Sequence, residues 1–246
     1  GSSIVVTKST VPLGTNKILQ SKFDTLLKRK KHSVEICANP EFLREGSAIK
    51  DFLKPDRIIV GINSLTAKKV MQDVYKPLNT SSKKTIMMSP ESAELTKYAA
   101  NSFLATKISF INEMAILAEY NNANIHDIKK GIGSDQRIGN AFLNAGLGFG
   151  GSCFPKDIRA LIEEEKKANL NHSIIKAAYE INQNQLYIFH AKIKNFYKDA
   201  LKKKNLIIWG LSFKPNTDDL RESLAIKLIR LLAPHVTRLA LYDPVA

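Results

Sequence analysis

Cysteine and acidic residues are both scarce in these 246 residues, and each shortage narrows the field. Two cysteines, Cys37 and Cys153, are too few for a disulfide framework and lack metal-ligand spacing. Their scarcity points to a reducing, cytoplasmic compartment. His32, His126, His172, His190 and His235 have no HxxxH or CxxC partner, so no metal site is expected. No apolar run approaches the roughly 20 residues of a membrane span, and the start has no signal-peptide pattern. A membrane partner is therefore not expected.

Acidic residues number 23 against 37 Lys and Arg, a net charge of +14. Such a balance admits nucleic-acid or anionic-ligand binding. However, the runs Lys28-Arg29-Lys30-Lys31 and Lys202-Lys203-Lys204 each end a helical pattern, where cations complement the helix dipole and face water. No basic stripe interleaved with aromatics and no nucleic-acid module is present. The surplus suits a phosphate-bearing substrate better than DNA or RNA.

What is present is an α/β pattern, then a helical one, then α/β again. Strand-like runs at 4–6, 34–37, 57–61 and 85–88 alternate with helical stretches at 15–30 and 65–75, which predicts a parallel, doubly wound sheet. Ser89-Pro90-Glu91 is a helix start, with a capping Ser and Pro at the first helical position. Helical spacing continues from there to about 120. Short helices are expected at 126–131 and 137–143, and longer ones at 154–168 and 173–203. Strands return at 206–210 and 238–242, around a helix over 222–232. The expected domains are 1–89, 90–203 and 204–246. The chain begins on a strand without an initiator Met and stops just after another, so both ends look cut.

Chemistry is densest in Gly146-Leu147-Gly148-Phe149-Gly150-Gly151-Ser152-Cys153-Phe154-Pro155-Lys156-Asp157. The glycines permit backbone geometries and close approaches that side chains would block. A dinucleotide-binding reading of Gly-x-Gly-x-x-Gly fails here, because no strand precedes it. Pro155 belongs in a first helical turn, which places Cys153 at or next to the N-cap, where free N–H groups favour a thiolate. Lys156 sits in that same turn against the dipole and needs a neighbouring anion. Asp157, four residues on, could hold a water. Two readings stand on these residues alone: a catalytic cysteine loop, or a glycine-rich connector with a small buried Cys.

The run GFGGSCFPKD at 148–157 resembles the catalytic-cysteine signature of the nucleotide-sugar 6-dehydrogenases. Further matches follow in family order. KSTVPLGT at 8–15 resembles a loop of the cofactor domain, NPEFLREG at 39–46 the substrate loop, and ELTKYAAN at 94–101 the start of the central helix. FKPNTDDLRES at 213–223 resembles part of the nucleotide-sugar domain. The continuation GSAIKDFLKPDRIIVG at 46–61 favours UDP-glucose over GDP-mannose. One departure is large: the glycine-rich dinucleotide fingerprint and the first half of the cofactor domain are missing, as is most of the last domain. The resemblance implies the remnant of a Rossmann-like NAD domain and a central helical dimerisation domain like that of 6-phosphogluconate dehydrogenases. The start of a second Rossmann-like domain would follow.

By the same resemblance, UDP-glucose is oxidised twice at C6 with NAD. Cys153 captures the aldehyde as a thiohemiacetal, which is oxidised to a thioester and hydrolysed. Lys97 and Asn101 stabilise the oxyanion. Asp157, with Thr10, activates water, and Glu41 is a second acid/base. Phe42, Leu43, Arg44, Glu45, Lys97, Phe149, Gly150 and Lys214 frame the sugar nucleotide. Arg137 matches an arginine that reaches a partner subunit's site. Thr10, Glu45, Lys156 and Arg221 are the expected NAD contacts, and the central helices, above all 173–203, the expected homodimer interface. Cys37 is expected to be a buried structural thiol. Three rivals stay open: another nucleotide-sugar 6-dehydrogenase such as GDP-mannose dehydrogenase, a hydroxyacid dehydrogenase that oxidises once, and a non-catalytic basic binding module. As a fragment the chain is expected to be inactive, with the activity residing in its parent.

Overall fold

The computed structural model describes residues 1–78 and 84–246, which form two compact units, Gly1–Ala100 and Asn101–Ala246. The first is built on strands β1 (Ser2–Thr7), β2 (Ser33–Ala38), β3 (Ile58–Gly61) and β4 (Thr85–Met88), in that order across one sheet. Helix α1 (Thr15–Leu27) makes the crossover between β1 and β2, which run parallel from Ser2↔Ser33 to Thr7↔Ala38. Helix α3 (Leu65–Tyr75) does the same for the parallel pair β3 and β4. The expected parallel sheet needs a correction at its centre, because β2 and β3 meet antiparallel, at Ala38↔Gly61. Between them lies only the six-residue α2 (Ala48–Leu53), which the sequence pattern did not predict. It is too short to serve as the crossover helix that usually joins parallel neighbours.

Every residue of β3 is buried, as in a strand covered on both faces. Ile58, Val60, Met71 and Tyr75 cluster on one side, and Ala38, Ile59 and Ala93 on the other. By contrast, β1 lies at the edge of the sheet with Val5 and Val6 exposed.

Helix α4 (Pro90–Tyr120) starts in the first unit, capped by Ser89, whose Oγ accepts from Ser92 N at 3.2 Å. Its remainder belongs to the second unit. There it is joined by α5 (Ile125–Gly133), α6 (Phe154–Lys167), α7 (Ile174–Tyr197) and α8 (Leu224–Leu232). A parallel pair, β5 (Asn205–Trp209) and β6 (Arg238–Tyr242), flanks α8 in sequence. Ala105, Phe149 and Ile158 form one core of this unit, and Leu186, Leu228 and Leu232 another.

Two expectations fail in the second unit. Residues 137–143 are turns and not a helix. Gly139 and Phe142 take left-handed φ angles of 67° and 63°, which no helix continues through, and Asp135 turns the chain by accepting from Arg137 N at 2.9 Å. The helix expected over 173–203 ends at Tyr197, because Lys198 adopts φ 48°, and a 3-10 turn follows.

Candidate active site

In the first unit the loop after β2 starts from a fixed point. Asn39 is buried, donates from Nδ2 to the Ile59 carbonyl at 2.7 Å, and accepts from the Tyr75 hydroxyl. Two residues on, Glu41 Oε2 accepts from Leu43 N at 2.7 Å, and its other oxygen lies 3.3 Å from the ammonium of Lys97. Lys97 is only 3% exposed, so this anion is what makes its burial tolerable. The Phe42 ring lies under two cations, with Arg57 at 4.0 Å and Lys97 at 5.2 Å from its centroid. Each is within cation–π range.

Lys8 donates to the Asn39 carbonyl at 3.4 Å. Burial pushes its ammonium below the ordinary lysine range and the Lys97 charge adds to this, while Glu41 opposes it. Thr10 shares with Asn39, Glu94 and Lys97 a crevice of about 10 Å³, close to the room one water needs. The larger groove, near 570 Å³, runs along α1 past Lys17, Gln20 and Asp24 and contains none of the expected site residues.

Other members of the substrate loop point elsewhere. Arg44 forms a two-pronged pair with Asp51, at 3.0 Å from Nε and 2.6 Å from Nη2. That guanidinium holds the Asp51 carboxyl well below the usual carboxylate range. Leu43 is exposed and Glu45 half-buried.

In the second unit Cys153 is the N-cap of α6, with Pro155 in the first turn as its sequence implied. Its thiol is exposed, which removes the reading of a small buried cysteine in a connector. Asp157 is 1% exposed. Its Oδ2 accepts from Asn101 Nδ2 at 2.6 Å. Lys156 Nζ stands 2.8 Å from Oδ1 and forms an ion pair with it. Asp157 is thus the anion that Lys156 needed in a first helical turn.

Phe149 and Gly150 are buried. A Cβ on Gly150 would lie 2.3 Å from the Glu222 carbonyl, and one on Gly151 2.6 Å from the Phe213 ring. Gly151 N donates to the Arg221 carbonyl at 3.0 Å. The Arg221 side chain is bound to Asp219, and Lys214 lies 5.4 Å over the Phe213 ring. Arg137 stays apart from this group, exposed and paired with Asp135.

The structure therefore brings Glu41, Phe42 and Lys97 together with Lys8. Separately, it brings Asn101, Lys156 and Asp157 together in the turn that follows Cys153. Sequence reasoning assigned no role to Lys8, Glu94 or Asn182. Glu94 is a buried carboxylate that accepts from Gly14 N at 2.6 Å and Asn16 N at 2.9 Å. Lys8 and Glu94 lie inside motifs already singled out, which was the available signal. Asn182 lies in none. Among the described residues no group of three or more His, Cys, Asp or Glu could hold a metal ion, and no helix is long and apolar enough to cross a membrane.

An exposed thiol at a helix N-terminus, with a buried carboxylate one turn on, suits covalent capture of an electrophilic carbon and activation of water. Models of the UDP-glucose/GDP-mannose dehydrogenase family match its NAD binding domain at residues 1–79, its central domain at 91–184 and its UDP binding domain at 207–246. UDP-glucose 6-dehydrogenase of Pseudomonas aeruginosa is 42% identical over 245 residues, which is 99% of this chain and 54% of that protein. The Rickettsia typhi enzyme of the same name is 46% identical over 243 residues, 98% of this chain and 55% of that protein. A UDP-glucose dehydrogenase structure from Pyrobaculum islandicum superposes with a TM-score of 0.90 at 40% identity, covering 100% of this chain and 56% of that one. The chain spans about half the length of the curated relatives it matches. With all three domain models in order and relatives above 40% identity across its full length, the chain belongs to the UDP-glucose/GDP-mannose dehydrogenase family.

Proposed function

We propose that the protein carrying this chain is an NAD-dependent UDP-glucose 6-dehydrogenase that takes the C6 alcohol to a carboxylate through a thioester on Cys153. The observation that carries the reading is the exposed Cys153 thiol at the N-cap of α6, one turn before the buried Asp157–Asn101 pair. Relatives bearing that enzyme's name across the whole chain support the sugar. The division into cofactor (1–89), central (90–203) and UDP-sugar (204–246) domains is part of the proposal. So are a cytoplasmic location and a homodimer built on the central helices.

The cofactor can be tested against the residues present. The Gly-x-Gly-x-x-Gly run at 146–151 is packed against Asn182, Glu222 and Phe213, leaving no cradle for a diphosphate. At the N-terminus of α1, the N–H groups of Gly14 and Asn16 are taken by Glu94. Thr10 and Lys97 would stand at the reacting end, lining a crevice that has room for about one water and does not enclose a nicotinamide ring. When bound, NAD supplies the hydride acceptor for both oxidations.

The chain's own residues would do the rest. Lys97 and Asn101, one helical turn apart on α4, would hold the negative charge that develops on the C6 oxygen. The Cys153 thiolate would add to the aldehyde carbon, giving a thiohemiacetal that loses hydride to become a thioester. Asp157, held by Asn101 at one oxygen and paired with Lys156 at the other, would orient the water and accept its proton as the acyl–sulfur bond breaks and the thiol is restored. Glu41 would take up a proton beside Lys97.

The test is the amount of NADH formed per UDP-glucose consumed, measured with the full-length protein and its Cys153→Ala variant. A yield of about two, lost in the variant, is expected of the thioester route. A yield near one that ignores the substitution would sink it.

A further inference from the structure

Asn182 lies on α7, outside every motif of the sequence, and its side chain is fully buried. Its carboxamide meets both main-chain groups of Phe149: Phe149 N donates to Oδ1 at 2.7 Å, and Nδ2 donates to the Phe149 carbonyl at 3.0 Å. The loop has no strand beside it, so a side chain satisfies both main-chain groups of this buried residue. Only a carboxamide both accepts and donates in this way. A carboxylate accepts alone, and an aliphatic side chain does neither.

The approach is close. Gly148 has φ 114°, and a Cβ there would stand 2.2 Å from Asn182 Oδ1. Two more buried carboxamides repeat the pattern one step earlier, where Gly146 N donates to Asn112 Oδ1 at 2.8 Å and Gln185 Nε2 donates to the Gly146 carbonyl at 3.0 Å. From Phe149 the chain passes through Gly150 and Gly151 to Cys153 within four residues.

We propose that Asn182 is a positioning residue for Cys153. Its two hydrogen bonds fix the backbone from which the loop departs, and so set where the exposed Cys153 stands at the N-cap of α6. Without Asn182, the buried N–H and carbonyl of Phe149 must find other partners, and the loop leaves the path that ends at the cap. The inference rests on the proposed role of Cys153 as nucleophile.

Thiol alkylation tests it on the chain itself. Cys37 is fully buried, so in the native chain iodoacetamide reports on Cys153. The second-order rate and its pH profile would be measured for the unaltered chain, Asn182→Ala, Asn182→Asp and Gly148→Ala. Met71→Ala, a core cavity in the other compact unit, serves as a control for general destabilisation, and all are held below their melting temperatures. The three loop variants are expected to react about tenfold more slowly, while Met71→Ala keeps the original rate and profile. Asn182→Asp preserves volume and one acceptor, so it remains measurable should the alanine variant not fold. An unchanged rate and profile in a folded Asn182 variant overturns the proposal. An unaltered chain that reacts no faster than glutathione instead overturns the nucleophile reading beneath it.

Discussion

At the scale of single residues, two glycines show how differently one residue type can be used. Gly151 has φ 81°, and a Cβ there would strike the Phe213 ring, whereas Gly131 lies within α5 with nothing inside 4 Å of its Cβ position. Gly131→Ala should stabilise the chain by about 0.5–1 kcal/mol, through helix propensity and a less free unfolded chain. Gly151→Ala should cost about 2 kcal/mol or more, from strain and overpacking together. Urea titration of both variants decides the matter, and a gain in stability at Gly151 would mean the loop does not press on Phe213. At this scale Cys153 and Asp157 were legible as candidates from the glycine-rich loop and the helix start that follows it, whereas Lys97 and Glu41 were singled out only by the family resemblance of their motifs. Asn182 was not. A buried Asn that serves a loop 33 residues away leaves no local pattern, since its partner is backbone and any sequence supplies backbone.

At the scale of elements, both the 3.6-residue and the alternating hydrophobic patterns carried well. β4, α3 and β6 have the predicted limits, because each is bounded by its own cap or turn residues. The pattern did not carry where geometry is decided by backbone angles or by tertiary pairing. Residues 137–143 are apolar enough for a helix but are broken at Gly139 and Phe142. The antiparallel touch of β2 and β3 depends on chain reversal, not on composition.

The packing of α7 near the turn after α8 carries a pH prediction. His190 and His235 have ring centroids 5.8 Å apart, and His190 Nε2 is buried without a hydrogen-bond partner. Burial pushes the His190 pKa below the ordinary histidine value, and Lys194 and His235 add to this. The folded state thus resists a proton that the unfolded chain accepts at a pKa of about 6.5. Stability from this group is present above that value and falls as pH drops through it. The melting temperature should therefore decline between about pH 7 and pH 5, and His190→Gln should flatten that decline. A variant with the original slope would move the acid sensitivity elsewhere.

At the scale of the whole molecule, the outward face of α4 is the feature a monomer leaves unexplained. Phe103, Phe110 and Leu117 are spaced by seven residues and are 67%, 46% and 49% exposed. Tyr120, one turn beyond, is also open to solvent. Residues at that spacing stay on one side of a helix and form the seam along which two helices pack. An apolar stripe of this kind marks an association surface more often than a solvated face. A second copy of the chain is the expected occupant, in keeping with the proposed homodimer. The pairing must overcome repulsion between two bodies that each carry +14, so added salt should strengthen it as the screening length shrinks to about 8 Å at physiological ionic strength. Light scattering after gel filtration should give twice the 27.4 kDa chain mass, more completely at higher salt. Phe110→Glu places a charge at the middle of the seam, removing an aromatic anchor worth about 2 kcal/mol or more and burying an unpaired carboxylate. It should return the chain to monomer while leaving its helical circular dichroism intact. A dimer that survives this substitution would place the contact on another face, and α7, with Tyr187 and Phe196 exposed, would be the next to alter.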